Sequence, residues 1–324
     1  MTLQRSSLIG LVALVVLVSA PFASSHLNSY SRAAGAPQQD HWPQSSQIIW
    51  NINPAHGSNI TGNRSVQDVI SAAFNTWVSA PNAALNVVRG ADSGKTASGM
   101  DDTNLICFTC NGDFNAEAET LAVTMTTTAT SAGGSDGRGG TVQFAGQILD
   151  ADILFSPSHN FTTDPGSGLE LQTVATHEIG HFFGLAHSSV VRAVMFPFSP
   201  NSENRLSYDD VAAISVNYGK AAPDVPVGMI SGTVRMGGSG VFGAHVFADS
   251  VTGAEPFAAF NIRKSPIGTL TLPDGTYIIR GVPADSYTVT AEPLDLPVAD
   301  GDLGGYAIAF GKNAVQTAFT TRWH

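Results

Sequence analysis

The sequence predicts an α+β domain followed by a small all-β sandwich. Three observations carry this. Strand-like runs and one amphipathic helix precede a second, histidine-bearing helix, and a third helix closes the segment that ends at Gly219. Residues 220–228, with Ala221-Ala-Pro-Asp-Val-Pro-Val-Gly228, then read as a linker. Beyond it helical periodicity stops, and short β-rich runs are broken by Gly, Pro and Asp turns. At 324 residues the chain is long enough for two domains with cores of their own.

Residues 1–25 read as a secretory signal peptide. Arg5 supplies a positive start, Leu8–Ala20 is an apolar run of 13 residues, and the small residues Ala23, Ser24 and Ser25 place cleavage near Ser25. A bilayer span takes about 20 residues, which weighs against an uncleaved anchor. The expected location is therefore secreted or extracellular, with association to the cell envelope left open and no stable membrane insertion after signal removal. Residues 26–45, rich in Ser, Ala, Gln and Pro, are expected as a linker or short pro-segment.

Residues 46–219 form the first domain. Ser46–Asn53 alternates as a strand. Ser65 suits a helix N-cap, and Val66, Val69, Ile70, Ala73, Phe74 and Trp77 recur at helical spacing up to Val78, with Phe74 and Trp77 expected to pack against a sheet. Leu85–Arg89, Asn104–Phe108, Leu121–Thr127 and Gly146–Phe155 read as further strands, and the Gly-rich Ser131–Gly140 as a flexible loop. Leu169–Leu185 is the second helix and Arg205–Gly219 contains the third. In residues 229–293, Met229–Met236, Ala244–Ala248, Gly268–Leu272, Thr276–Gly281 and Ser286–Ala291 are the strands of the sandwich. Residues 294–324 read as a tail or the start of a truncated region.

The chemistry concentrates in His177-Glu-Ile-Gly-His-Phe-Phe-Gly-Leu-Ala-His187. His177 and His181, four apart on a helix, share one face. Gly184 lets the chain leave the helix through the left-handed region, so that His187 returns as a third ligand. Three imidazoles leave a fourth position for water, the pattern of a catalytic rather than a structural zinc site. Glu178 projects beside the metal as a base. A buried amphipathic helix alone accounts for Ile179, Phe182, Phe183 and Leu185, but not for three histidines at i, i+4 and i+10.

This string resembles the zinc signature of the metzincin metallopeptidases, H-E-x-x-H-x-x-G-x-x-H followed by a Met-turn. Ala193-Val-Met195-Phe-Pro197 is the candidate turn, and the resemblance implies that Met195 forms an apolar floor under the metal. Ser188, the run Met-Phe-Pro-Phe, and Arg205-Leu-Ser-Tyr-Asp-Asp210 resemble the matrixin branch. Pro197 stands where the astacin-like and serralysin-like branches place a tyrosine. The likeness covers roughly residues 42–219 and implies a metzincin-type fold, a mixed twisted sheet plus three helices. It further implies that Pro197 and Phe198 line the pocket for the residue after the cleaved bond, with an apolar preference. Asp209 and Asp210 resemble the pair that anchors the mature amino terminus, with N-capping of the last helix as the other reading. Asp-Ala-Asp-Ile-Leu-Phe155 resembles the matrixin edge region beside the substrate cleft. Only His159 lies between Arg89 and the active-site helix, so no second zinc of the matrixin kind is expected. No cysteine precedes Cys107, so the family's cysteine switch is missing. In the second domain, Ile-Ser-Gly-Thr-Val and Asp-Gly-Thr-Tyr-Ile-Ile-Arg-Gly resemble the carboxypeptidase regulatory-like, transthyretin-like sandwich.

The formal net charge is −11 with only 15 Lys and Arg, which argues against nucleic-acid binding. Cys107 and Cys110 read as a small-loop disulfide in an exported protein, with free thiols as the alternative. Calcium is left open through Asp136, Asp150, Asp152 or Asp164, without a recognisable loop pattern. The sites at Asn59, Asn63 and Asn160 matter only in a glycosylating host. The expected function is a secreted, monomeric zinc endopeptidase acting on protein or peptide substrates through a zinc-activated water, with Glu178 as general base. The competing reading is an adhesion or binding protein whose sandwich is the working part and whose metal domain is a scaffold or serves one partner. Ligand histidines need acceptors on their other ring nitrogens, and the sequence does not identify them.

Overall fold

The first helix forms as its apolar spacing predicts. In α1 (Val66–Val78), Ser65 caps the amino end by accepting the Asp68 N–H at 3.1 Å, and the buried set is Val66, Val69, Ile70, Ala73, Phe74 and Trp77. The structure, a computed structural model, describes residues 29–33, 36–44, 46–114, 116–198, 204–294, 297–303 and 305–324. The expected signal peptide lies outside the described residues. Among the described residues no helix is long and apolar enough to cross a membrane.

A hairpin of β1 (Tyr30–Ala33) and β2 (Ala36–Gln39) comes first. The main sheet contains β3 (Ile48–Asn53), β4 (Val87–Asp92), β5 (Asn104–Cys107), β6 (Ala122–Thr128) and β7 (Ile148–Phe155), in the order β4-β3-β5-β7-β6. The first four strands in that order run parallel, and β6 closes the edge antiparallel to β7. This corrects one expectation. The run Asp150–Phe155 resembles the edge region beside a substrate cleft, but β7 is interior, with seven of its eight residues buried. Burial on both faces marks an inner strand, while the threonine-rich β6 is only partly covered. Trp50 on β3 stacks on Phe74 of α1, with ring centroids 4.5 Å apart.

Helix α2 (Leu171–Phe182) packs against α1, and α3 (Tyr208–Tyr218) follows the segment around Met195. The helix expected over Leu169–Leu185 stops earlier because Phe183 caps it and Gly184 turns out at φ +85°. The described part of 26–45, expected as a linker or short pro-segment, is folded onto this end. Trp42 donates its indole N–H to the Phe182 carbonyl (2.8 Å), and the Ser29 N–H reaches the Gly184 carbonyl (2.9 Å). The Ser131–Gly140 loop is also tethered, through Arg138 to Asn104 (2.8 Å) and to the Trp42 ring face.

The second module contains β8 (Val227–Thr233), β9 (His245–Ser250), β10 (Ile267–Leu270), β11 (Thr276–Pro283) and β12 (Tyr287–Glu292). β8 pairs with β11, and β9 lies between β10 and β12, all antiparallel. Arg322–Trp323, in the expected tail, adds to β12. The two modules share one apolar cluster that runs from Trp50 through Phe182 and Tyr208 to Val246 and Ile279. Asn82 pins the expected linker by exchanging two side-chain hydrogen bonds with the Val225 backbone. Gly281, at φ +68°, lets β11 approach α3: a Cβ there would sit 2.8 Å from that of Ala212.

Candidate metal centre

Helix α2 presents His177 and His181 on one face, and the chain reverses at Gly184 to return His187. The reversal needs glycine twice over. Its φ is in the left-handed region, and a Cβ would stand 1.9 Å from the Asp40 carbonyl oxygen. The ligand atoms of the three histidines all lie within 4.8 Å of one another, and among the described residues this is the one such group of three or more metal-binding side chains.

Each ring is oriented through Nδ1. His177 Nδ1 meets the Val194 carbonyl at 2.7 Å, His181 Nδ1 the Leu185 carbonyl at 2.7 Å, and His187 Nδ1 the Asp302 carbonyl. A carbonyl only accepts, so Nδ1 carries the proton and the Nε2 lone pair is left free. The Nε2 atoms of His177 and His187 face each other at 3.1 Å. Burial holds the His181 pKa well below the ordinary imidazole value, with repulsion from His187 and His177 adding to it. Burial, then His177, brings His187 down to about 4. Both are neutral at pH 7, the form that ligates.

Glu178 is 6% exposed and sits beside this cluster. Thr124 of β6 donates its hydroxyl to Glu178 Oε2 at 2.6 Å. Burial raises the Glu178 pKa, opposed by His177 and the Thr124 hydrogen bond. Below the helix, Met195 is 2% exposed and packs on Gly180, where a Cβ would stand 2.2 Å from its sulfur. Asp210 fixes this turn. Its carboxylate accepts the N–H groups of Val194 (2.9 Å) and Met195 (3.2 Å), and it completes a capping box with Ser207 at the start of α3. The capping reading of Asp210 is thus what the structure shows. Asp209 instead accepts the Ser188 hydroxyl (2.6 Å) and the Gly268 N–H (2.8 Å) of β10. Pro197 is half-buried, and Phe198 is 45% exposed with its ring edge-on to Phe196.

The four aspartates weighed for calcium do not form such a cluster. Asp152 accepts the Gly99 and Leu105 N–H groups, Asp136 those of Arg138 and Gly140, and Asp164 those of Asn63, while Asp150 lies 3.6 Å from Arg138. His159 Nδ1 bonds the Ser156 hydroxyl at 2.9 Å. A disulfide joins Cys107 and Cys110 in a buried patch with Leu105 and Leu154. Sequence reasoning missed Thr124 and the three carbonyl acceptors. Alternation in Leu121–Thr127 puts Thr124 on one face with Ala122 and Thr126, but nothing local marks it as the partner of Glu178.

Residues 108–219 match the Matrixin peptidase family. The chain is similar to matrilysin of Rattus norvegicus, 40% identical over 91 residues that make up 26% of this chain and 34% of that one. It is also similar to karilysin of Tannerella forsythia, 46% identical over 75 residues (23% and 16%). Metalloendoproteinase 1 of Glycine max is 42% identical over 74 residues (22% and 24%). These matches span at most about a third of each relative's length.

Proposed function

We propose that this chain is an exported zinc-dependent endopeptidase that hydrolyses peptide bonds in proteins. One observation carries the reading. Three imidazoles, each held through Nδ1, turn their unprotonated nitrogens into one small space beside a buried carboxylate. Lone pairs facing each other at 3.1 Å repel unless a cation lies between them. Zinc fits this donor set, since imidazole ligands at about 2.0–2.1 Å in a tetrahedral arrangement stand roughly 3.3 Å apart. His177, His181 and His187 would hold it. When bound, the ion supplies Lewis acidity that makes water acidic near pH 7 and polarises the scissile carbonyl.

The chain supplies the rest. Glu178 takes a proton from the attacking water and passes it to the leaving amine. Its burial raises its proton affinity toward the operating pH, which suits a group that must both accept and donate. The Thr124 hydroxyl fixes which oxygen of Glu178 is free to do so. Strand β6, at the sheet edge beside α2, has one backbone side that pairs with no strand among the described residues, and on it an extended substrate adds as a further strand. Pro197 and the exposed ring of Phe198 line the pocket for the residue after the cleaved bond. The match to the Matrixin family over 108–219 and the similarity to matrilysin and metalloendoproteinase 1 support the same reaction class.

Glu178→Gln tests the assignment. Cleavage of casein and of a peptide library should vanish while one zinc per chain is retained by elemental analysis. Retained cleavage would remove Glu178 from its role, and a wild-type protein without zinc would remove the metal.

A further inference from the structure

The third histidine differs from the other two in where its support comes from. His181 uses the Leu185 carbonyl four residues on, and His177 uses the Met-turn carbonyl of Val194. His187 uses the carbonyl of Asp302, 115 residues downstream, beyond the stretch that matches the Matrixin family. We infer that the C-terminal module is part of the metal centre: the turn Asp300–Leu303 acts as a positioning element that selects the ligating tautomer and orientation of His187.

The turn is built to hold its place. The Asp302 N–H donates to the Ala299 carbonyl at 3.0 Å, the Asp302 carboxylate accepts the Ala299 N–H at 2.8 Å, and the Asp300 carboxylate accepts the Ala307 N–H at 3.0 Å. It is docked by apolar contact. Val298, Leu303, Tyr306 and Ala307 are buried in one cluster with Ala186 and Phe196, the neighbours of His187 and Met195. A second strut runs from the same module, since the Gly268 N–H of β10 binds the Asp209 carboxylate that holds Ser188, the residue after His187. An imidazole without its Nδ1 acceptor is free to change tautomer and to rotate, and loss of such a partner typically lowers metal affinity about 10–100-fold.

This inference rests on the zinc reading above, and the test separates the two. Full-length wild type, Asp302→Ala, Asp302→Asn, Leu303→Ala and Ile279→Ala are compared by zinc competition with a chromophoric chelator and by the visible spectrum of the cobalt(II) form. Asp302→Ala and Leu303→Ala should weaken zinc binding about 10–100-fold and alter the cobalt bands. Asp302→Asn, whose amide oxygen still accepts the Ala299 N–H, should stay within about twofold of wild type. If the carboxylate charge rather than the carbonyl position were at work, Asn would behave as Ala does, and the inference would fall. Ile279→Ala empties a buried position on β11, in the apolar cluster that the two modules share and outside the cluster that docks the turn. It should lower the melting temperature yet leave zinc affinity and the cobalt spectrum unchanged. Equal zinc loss in Ile279→Ala, or wild-type behaviour of Asp302→Ala and Leu303→Ala, overturns the inference alone. A wild type without a tight zinc site overturns the zinc reading with it.

Discussion

Gly180→Ala offers a direct test of how the segment around Met195 supports the histidine-bearing helix α2. Gly180 lies inside α2 with helical backbone, where alanine is intrinsically better by about 1 kcal/mol. Against that gain stands a clash. The new Cβ would lie 2.2 Å from Met195 Sδ, 3.0 Å from its Cε and 2.9 Å from Trp77 Cζ2. Ordinary contact is about 3.5–4.0 Å, so Met195 must shift by more than about 1 Å. It has little room, being buried, and the indole of Trp77 is anchored by its N–H to the Thr176 carbonyl at 2.7 Å. Overpacking of this kind costs about 1–3 kcal/mol, so the net loss should be roughly 1 kcal/mol. In a Met195→Ala background the sulfur and Cε contacts are gone and only the 2.9 Å approach to Trp77 Cζ2 remains, so the same substitution should be close to neutral, the helix gain of about 1 kcal/mol offsetting what is left of the clash. Urea unfolding of the four proteins at one fixed free zinc concentration yields the coupling, expected at about 1 kcal/mol. Equal effects of Gly180→Ala in both backgrounds would refute the contact.

The other predictions concern charge and positioning. Thr124→Val removes the donor to Glu178, whose hydrogen bond lowers the carboxyl pKa; kcat/KM should fall about 10–100-fold, and the acid limb of the pH profile should move to higher pH. Asp210→Ala deprives two Met-turn N–H groups and the α3 cap of their acceptor, so denaturant melts should show a loss of about 2–4 kcal/mol. Asp150 has its pKa raised to about 7, by burial first and then by Asp152, against Arg138. Its folded value thus exceeds its unfolded one, so its contribution to stability is present in full below about pH 4 and is lost as the pH rises through 7. Asp150→Asn should therefore gain on the wild type between pH 5 and pH 8, on the order of 1–2 kcal/mol after allowance for solvent near Arg138, as read from melts at the two pH values.

The fold was legible where a period of burial is short and one-sided. Six apolar positions of α1 repeat at helical spacing, and the same six are buried. Strand β7 was legible as a strand but not as an inner one. The run holding Asp150 and Asp152 resembles a cleft-edge region, whereas both aspartates are buried, with Asp152 satisfied by the Gly99 and Leu105 N–H groups. Composition misled in the same way for the segment before Gln44. Its Ser, Ala, Gln and Pro suggest a linker, but one indole, that of Trp42, finds the Phe182 carbonyl and closes the end of α2. A polar composition lowers the apolar area available for burial, yet it does not prevent a segment from docking by a few hydrogen bonds and one large ring.

The candidate metal site divides along the same line. Ligand identity is carried by side chains, so His177, His181, His187 and Glu178 stand out in any reading of the chain, and Gly184 follows from the turn they require. Ligand orientation is carried here by main-chain carbonyls, and every residue has one. No side-chain pattern can therefore single out Val194, Leu185 or Asp302 as acceptors. Leu185 is the easiest of the three, because a helix that ends near Gly184 leaves its following carbonyl close to the last turn. Val194 becomes accessible once the Met-turn is placed under the helix, as the Gly180–Met195 contact demands. Asp302 depends on the docking of a module whose described residues form no group of three metal-binding side chains, so its role emerges only from long-range packing. A domain bounded by the histidine motif and its closing helix alone would be cut after Gly219, and that cut would remove the carbonyl that His187 Nδ1 meets.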